Sequence, residues 1–117
     1  MENYVPEVVW PKKSTKYSFI HIQIEGITRI RFSPEVLAEN GILAHMPIAT
    51  DLSREFGIGC PDMLKNPNRG GGFAFVDIES KTIVADGKSG LMGEYDHRLV
   101  RNVCESGGWH YEERVAV

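Results

Sequence analysis

The chain has 117 residues, 42% hydrophobic and 25% charged, and its 13 basic and 16 acidic side chains leave a formal charge of -3. That length fits one domain with one core, and a mixed, slightly acidic charge pattern carries no electrostatic footprint for a nucleic-acid polymer. Two cysteines, Cys60 and Cys104, without C-x-x-C spacing argue against a disulfide scaffold or a cysteine-built zinc site and fit a reducing compartment. The proline-interrupted opening MENYVPEVVWPKKS has no signal-like apolar run, and no stretch approaches the roughly 18 apolar residues of a membrane span, so the expectation is a cytoplasmic protein without a membrane partner.

Residues 1–15, with Pro6, Pro11 and two lysines, read as an irregular arm that packs Trp10 on the body; residues 16–117 read as the domain. In YSFIHIQIE (17–25), Ile20, Ile22 and Ile24 alternate with Phe19, His21 and Gln23, which predicts a strand with one buried face. Gly26 breaks it, and ITRIRF (27–32) supplies a hairpin partner. Ser33-Pro34 suits the start of a short helical turn ending near Asn40-Gly41.

A better-defined helix follows, opened by Pro47, striped by Ile48, Leu52 and Phe56, and closed by Gly57. Residues 57–72, rich in Gly, Pro and Asn, read as a long loop. FAFVDIESKTIVADG (73–87) reads as two strands around a turn at Glu79-Ser80-Lys81. YDHRLVRNVCESGG (95–108) predicts a second helix capped by Asp96 and stopped at Gly107-Gly108, and WHYEERVAV a final strand. The order strand, strand, helix, strand, strand, helix, strand predicts a single α+β domain: a mixed sheet of about five or six strands with two main helices packed on it.

Few motifs carry chemistry. DGKSG (86–90) contains Gly-Lys-Ser but is no P-loop, because the required earlier glycine is Thr82; it remains a Gly-rich turn able to point N–H groups at phosphate. NRGGGF (68–73) reads either as a phosphate cradle or as a flexible loop entering a strand. His21, His45, His97 and His110 match no metal-ligand spacing, and His21 and His110 are most simply residues of the sheet surface. No G-x-S-x-G elbow is present, and Asp51, Glu55, Asp77 and Glu79 form no evident acid/base pair. What stands out is His45 at a helix start, where unpartnered N–H groups favour an anion.

At those same positions the chain resembles the small phosphohistidine phosphatases of the Janus/Ocnus family, 14 kDa type. The likeness runs through KYSFIHI (16–22), AHMPI (44–48) and GGGFAFVDIESKTIVADGKSGLMGEYDH (70–97) into the last helix and WHYEE. The resemblance implies a metal-independent phosphatase, without cofactor, that hydrolyses a P–N bond with His45 as the catalytic histidine. It further implies that Lys16, Ser89 and the backbone N–H groups of Met46 and Leu91 hold the phosphate. A helix start favours a phosphate anion and disfavours an imidazolium, which fits a neutral His45 acting as nucleophile or as general base.

Two positions depart from the family: Phe73 stands where the family usually has an arginine gripping the phosphate, and Ala44 where it tends to have an aromatic. Arg69 and Lys88 are the cations placed to substitute. The alternative is a binding module that keeps the anion pocket without the chemistry, recognising a phosphorylated protein or a small nucleotide that stacks on Phe73. A phosphorylated protein or small phosphorylated ligand is the expected partner, and the expected state is a monomer.

Overall fold

The computed structural model describes residues 7–34, 45–89 and 91–114. Their elements are β1 (Glu7–Val8), β2 (Thr15–Ile24), β3 (Ile27–Pro34), α1 (Met46–Phe56), α2 (Cys60–Leu64), β4 (Arg69–Asp77), β5 (Thr82–Asp86), α3 (His97–Ser106) and β6 (His110–Glu113). The strands form one mixed sheet in the order β1-β3-β2-β4-β5-β6. Its two outer pairings, β1 with β3 and β5 with β6, are parallel and the three inner ones antiparallel. The fold is therefore α+β, with the six-stranded sheet and the two longer helices, α1 and α3, that the sequence predicts.

The β2–β3 hairpin pairs Ile24 with Ile27 across Glu25-Gly26, both with positive φ, 57° and 77°, the backbone twist that a tight two-residue turn between strands requires. β2 is buried on both faces rather than one. Ile20, Ile22 and Ile24 pack under Ile48, Ala49 and Leu52 of α1, while Tyr17 and Phe19 join Ala74, Val76, Ile83, Ala85 and the α3 residues Val100, Val103 and Cys104 on the other side. His21, expected at the sheet surface, is correspondingly only 2% exposed, whereas His110 is exposed.

α1 starts with proline in its first turn and ends at Gly57 with φ 67°, as read from the sequence; α3 is capped by Asp96, whose carboxylate accepts the Leu99 N–H at 3.0 Å. Within the N-terminal arm, β1 lies parallel to β3 and Glu7 bonds both Arg29 and Arg31. Hydrogen bonds from Arg31 and then Arg29 hold the Glu7 carboxyl below its ordinary pKa. Trp10 stacks on Trp109 at 3.9 Å and on Phe32 at 5.6 Å. Ser33 and Pro34 end β3 instead of opening a helical turn; the rest of that expected turn lies outside the described residues, as do Val115 and Val117 of the last strand.

The largest departure is the segment 57–72, which is not one long loop. Gly59, Pro61 and Asp62 start α2, a helix too short to show periodicity, and Arg69 to Gly72 belong to β4, in the middle of the sheet. Close approach, not flexibility, accounts for the glycines. A Cβ on Gly70 would lie 2.4 Å from Glu94 O and 2.6 Å from Tyr95 Cα; on Gly71, 2.8 Å from Phe19 O; on Gly72, 2.8 Å from Asp86 O.

Gly70→Ala is accordingly expected to destabilise the protein by roughly 2 kcal/mol or more, because backbone on the far side must move. Gly59→Ala, where the nearest contact is an ordinary 3.7 Å, should cost less than about 1 kcal/mol. Urea unfolding of the two variants tests the contrast, and equal costs would contradict it.

Candidate functional site

Directly paired residues of adjacent strands share a face of the sheet, and successive residues alternate. Gly71 is paired with Ile20 and so opens toward α1, whereas Gly70 is paired with His21 and opens toward α3. Each glycine has a histidine over it: a Cβ on Gly71 would lie 3.2 Å from His45 Cδ2, and one on Gly70 2.8 Å from His21 Nε2. Two buried histidines thus sit on opposite faces of one strand, in places that only glycine leaves open.

His45 is the N-cap residue of α1 and is 3% exposed. Its carbonyl accepts the first helical bond, from Ala49 N at 3.1 Å. The His45 side chain makes no cap hydrogen bond, Pro47 has no N–H, and no acidic residue lies in the first turn, so the field at this helix start is locally positive and favours an anion. His45 Nε2 lies 2.9 Å from Gly72 O. A carbonyl only accepts, so Nε2 carries the proton and in the neutral ring the lone pair is on Nδ1. Burial lowers the His45 pKa, with the Gly72 bond acting in the opposite sense, which keeps the ring neutral near pH 7.

Ser89 lies beside His45, its Cβ 3.0 Å from the same hypothetical Gly71 Cβ. Its N–H donates to Gly71 O at 3.0 Å, its carbonyl accepts Gly93 N at 2.9 Å, and its Oγ accepts the N–H groups of Leu91 and Met92 at 3.1 and 2.9 Å. The Leu91 N–H is therefore engaged within the turn. With both lone pairs of Oγ taken, the hydroxyl has only its proton to offer a ligand.

Phe73, two residues after Gly71, presents its ring to His45 at 5.1 Å and 67°, and a Cβ on Gly87 (φ 72°) would meet that ring at 2.9 Å. Phe73 is thus held between the helix start and the DGKSG turn. Lys88 is exposed next to Ser89. Lys16 is exposed on β2 opposite Phe75, on the same face as His45. It lies about 13 Å of strand from Ile20. Arg69 opens β4 opposite Ile22; its Nη1 donates to Asn66 O at 2.8 Å and its Nε is buried without an acceptor. The structure therefore brings His45, Met46 and Ser89 together around Gly71, with Arg69 and Phe73 two residues to either side of it on the same face of β4 and Lys16 farther along β2.

Sequence reading missed His21 as a buried group. The available signal was the facing glycine run: a histidine between two isoleucines gains room exactly where its partner strand has no side chain. His21 Nε2 accepts the Asp96 N–H at 3.0 Å, and burial lowers its pKa to about 4 against the weaker opposing pull of the Asp96 charge.

No family model and no curated protein matches the chain. Among the described residues no helix is long and apolar enough to cross a membrane, and no group of three or more His, Cys, Asp or Glu side chains could hold a metal ion.

The depressed His21 pKa makes a signed prediction. Below pH 6.5 the unfolded chain protonates this histidine while the folded one does not, so stability falls as pH drops from about 6.5 and this loss levels off below about 4. The size is on the order of 3 kcal/mol. Chemical denaturation of wild type and His21→Gln at steps of pH checks it: between pH 6.5 and 4.5, where most carboxylates stay ionised, the variant should lose His21's share of the limb and keep the part due to His45, whose pKa burial also lowers, and an unchanged limb would refute the assignment.

Proposed function

We propose that the protein is a metal-independent phosphatase of phosphohistidine or a related phosphoramidate, with His45 as its catalytic residue. The observation that carries this reading is the fixed protonation of His45: Nε2–H is held by Gly72 O, burial keeps the ring neutral, and the Nδ1 lone pair is left for chemistry at an uncapped helix start. The resemblance to the Janus/Ocnus phosphatases supports the same reading.

Nδ1 has two uses. As nucleophile it forms a bond to phosphorus while the P–N bond to the substrate nitrogen breaks, that nitrogen taking up a proton; water then releases inorganic phosphate from His45. As general base it removes a proton from water as the water oxygen attacks phosphorus and the P–N bond breaks, the proton passing to the departing nitrogen. On either route the Met46 and Ile48 N–H groups and the Ser89 hydroxyl proton face the equatorial oxygens, and Lys16 and Lys88 contribute long-range positive charge. Leu91 joins this set only if its N–H leaves Ser89 Oγ.

One observation favours a second reading, a binding module for a phosphorylated protein or small nucleotide. Phe73 stands in place of a bidentate cation, half-buried against His45, where it offers a stacking face and no charge.

Phosphate release from a phosphohistidine peptide separates the readings. His45→Ala should lower it by about 1,000-fold or more while circular dichroism stays unchanged; equal turnover would overturn the phosphatase. Restoring the charge with Phe73→Arg should raise kcat/KM about tenfold or more, equivalent to about 1.4 kcal/mol of transition-state binding. Nucleotide binding by calorimetry without any turnover in wild type would favour the binding module.

A further inference from the structure

The face of the sheet that carries His45 is covered unevenly. α1 packs on Ile20, Ile22 and Ile24 of β2 and α3 packs on the opposite face, so among the described residues no helix covers the β4–β6 side of the His45 face. Strand register sets two rows of side chains there: Phe73–Asp86 next to Gly71, and Lys16–Phe75–Val84–Glu112 beyond it. Phe75 is 47% exposed and is the only exposed aromatic side chain among the described residues. A threonine would serve a solvent-facing strand position as well, whereas a phenylalanine leaves a large apolar surface in water unless something covers it.

Size, position and charge restrict the occupant. Four strands and two rows measure about 14 Å each way, roughly 200 Å² against the about 800 Å² per partner of a standard interface. That is too little for a second copy of the chain, but it is room for one extended segment. Phe75 lies four residues from Gly71 on the same face of β4, about 13 Å along the strand, so such a segment reaches His45 within about four of its own residues. Lys16 flanks Phe75 on the β2 side, while Asp86 and Glu112 stand on the β5–β6 side; Lys88 follows Asp86 into the turn and is exposed. Carboxylates on that side disfavour a nucleic-acid strand or an anionic lipid surface and favour a basic side chain.

We propose that this face seats the flanking segment of a phosphorylated polypeptide, an inference that rests on the phosphatase reading of His45. With the phosphohistidine at His45, an apolar side chain about four residues away packs on Phe75 and Val84, and a basic residue between them faces Asp86. The probes are peptides carrying phosphoryltriazolylalanine, a stable mimic of phosphohistidine, with leucine or glycine at the fourth residue to one side or the other, titrated by calorimetry. On one of the two sides leucine should bind wild type about tenfold more tightly than glycine. Phe75→Ser should lose that preference and Phe75→Leu should keep it, which separates an apolar seat from a fold defect. Lysine at the second residue on the same side should strengthen binding severalfold in wild type and not in Asp86→Asn. Hydrolysis of inorganic phosphoramidate, which has no flanking segment, should be the same in wild type and Phe75→Ser; its absence from wild type would remove the phosphatase reading while the peptide titrations still decide the docking face. The proposal is overturned if the leucine and glycine peptides bind wild type equally on both sides, if Phe75→Ser keeps the preference, or if sedimentation shows a dimer that Phe75→Ser abolishes.

Discussion

Strand β4 runs through the middle of the sheet with its first three interior positions stripped of side chains, and the surrounding structure closes onto the backbone that this leaves bare. On one face the loop at Glu94 and Tyr95 approaches Gly70 and Gly72; on the other, Phe19 O, Ser89 and the His45 ring approach Gly71. These contacts join elements far apart in sequence: the start of α1, the turn after β5 and the segment leading into α3 all meet the same three residues. Ser89 and Gly93 pair with each other and with Gly71, so the turn that reads as a phosphate cradle is an extra rung on the strand. The conformational entropy that glycine loses on being ordered is offset here by backbone hydrogen bonds that a Cβ would prevent.

The same constraint sets what the two histidines can be. Each imidazole replaces a missing neighbour side chain, each is buried by that fit, and each has one ring nitrogen fixed by a backbone group, but with opposite results. At His45 the backbone group is a carbonyl, which fixes a proton on Nε2 and leaves a lone pair on the other nitrogen. At His21 it is an N–H, which takes the lone pair and leaves the proton on the other, buried nitrogen. One strand therefore presents a base on one face and a donor on the other, and the difference lies in the backbone partner, not in the side chain.

Local signals gave most of the secondary structure because they act within a few residues: Glu25-Gly26 at the hairpin, Pro47 and Gly57 at the ends of α1, Asp96 at the start of α3. The misread parts depend on distant partners. Glycine-rich sequence reads as loop unless the atoms closing on it are known, so Arg69–Gly72 looked mobile although it is central strand. β2 looked one-sided because His21 and Gln23 are polar, and the burial of His21 follows from the segment at residues 94–96 leading into α3, which the strand's own pattern does not contain. Of the candidate site, the place of His45 at a helix start was readable from Pro47 and Gly57; the distance of Lys16 from it follows from strand register, which the sequence does not print.

The stacking of Trp10 on Trp109 has a consequence for how this protein can be observed. These are the chain's two tryptophans, and they lie nearly parallel, 8° between planes and 3.9 Å between centroids. One belongs to the N-terminal arm and the other to the turn between α3 and β6. All indole absorption and emission therefore come from a single coupled pair astride a junction between the first strand's arm and the body, with no indole near His45. A tryptophan signal in this protein is a gauge of whether the arm is seated, and it can vanish while the sheet, its glycines and both histidines remain in place.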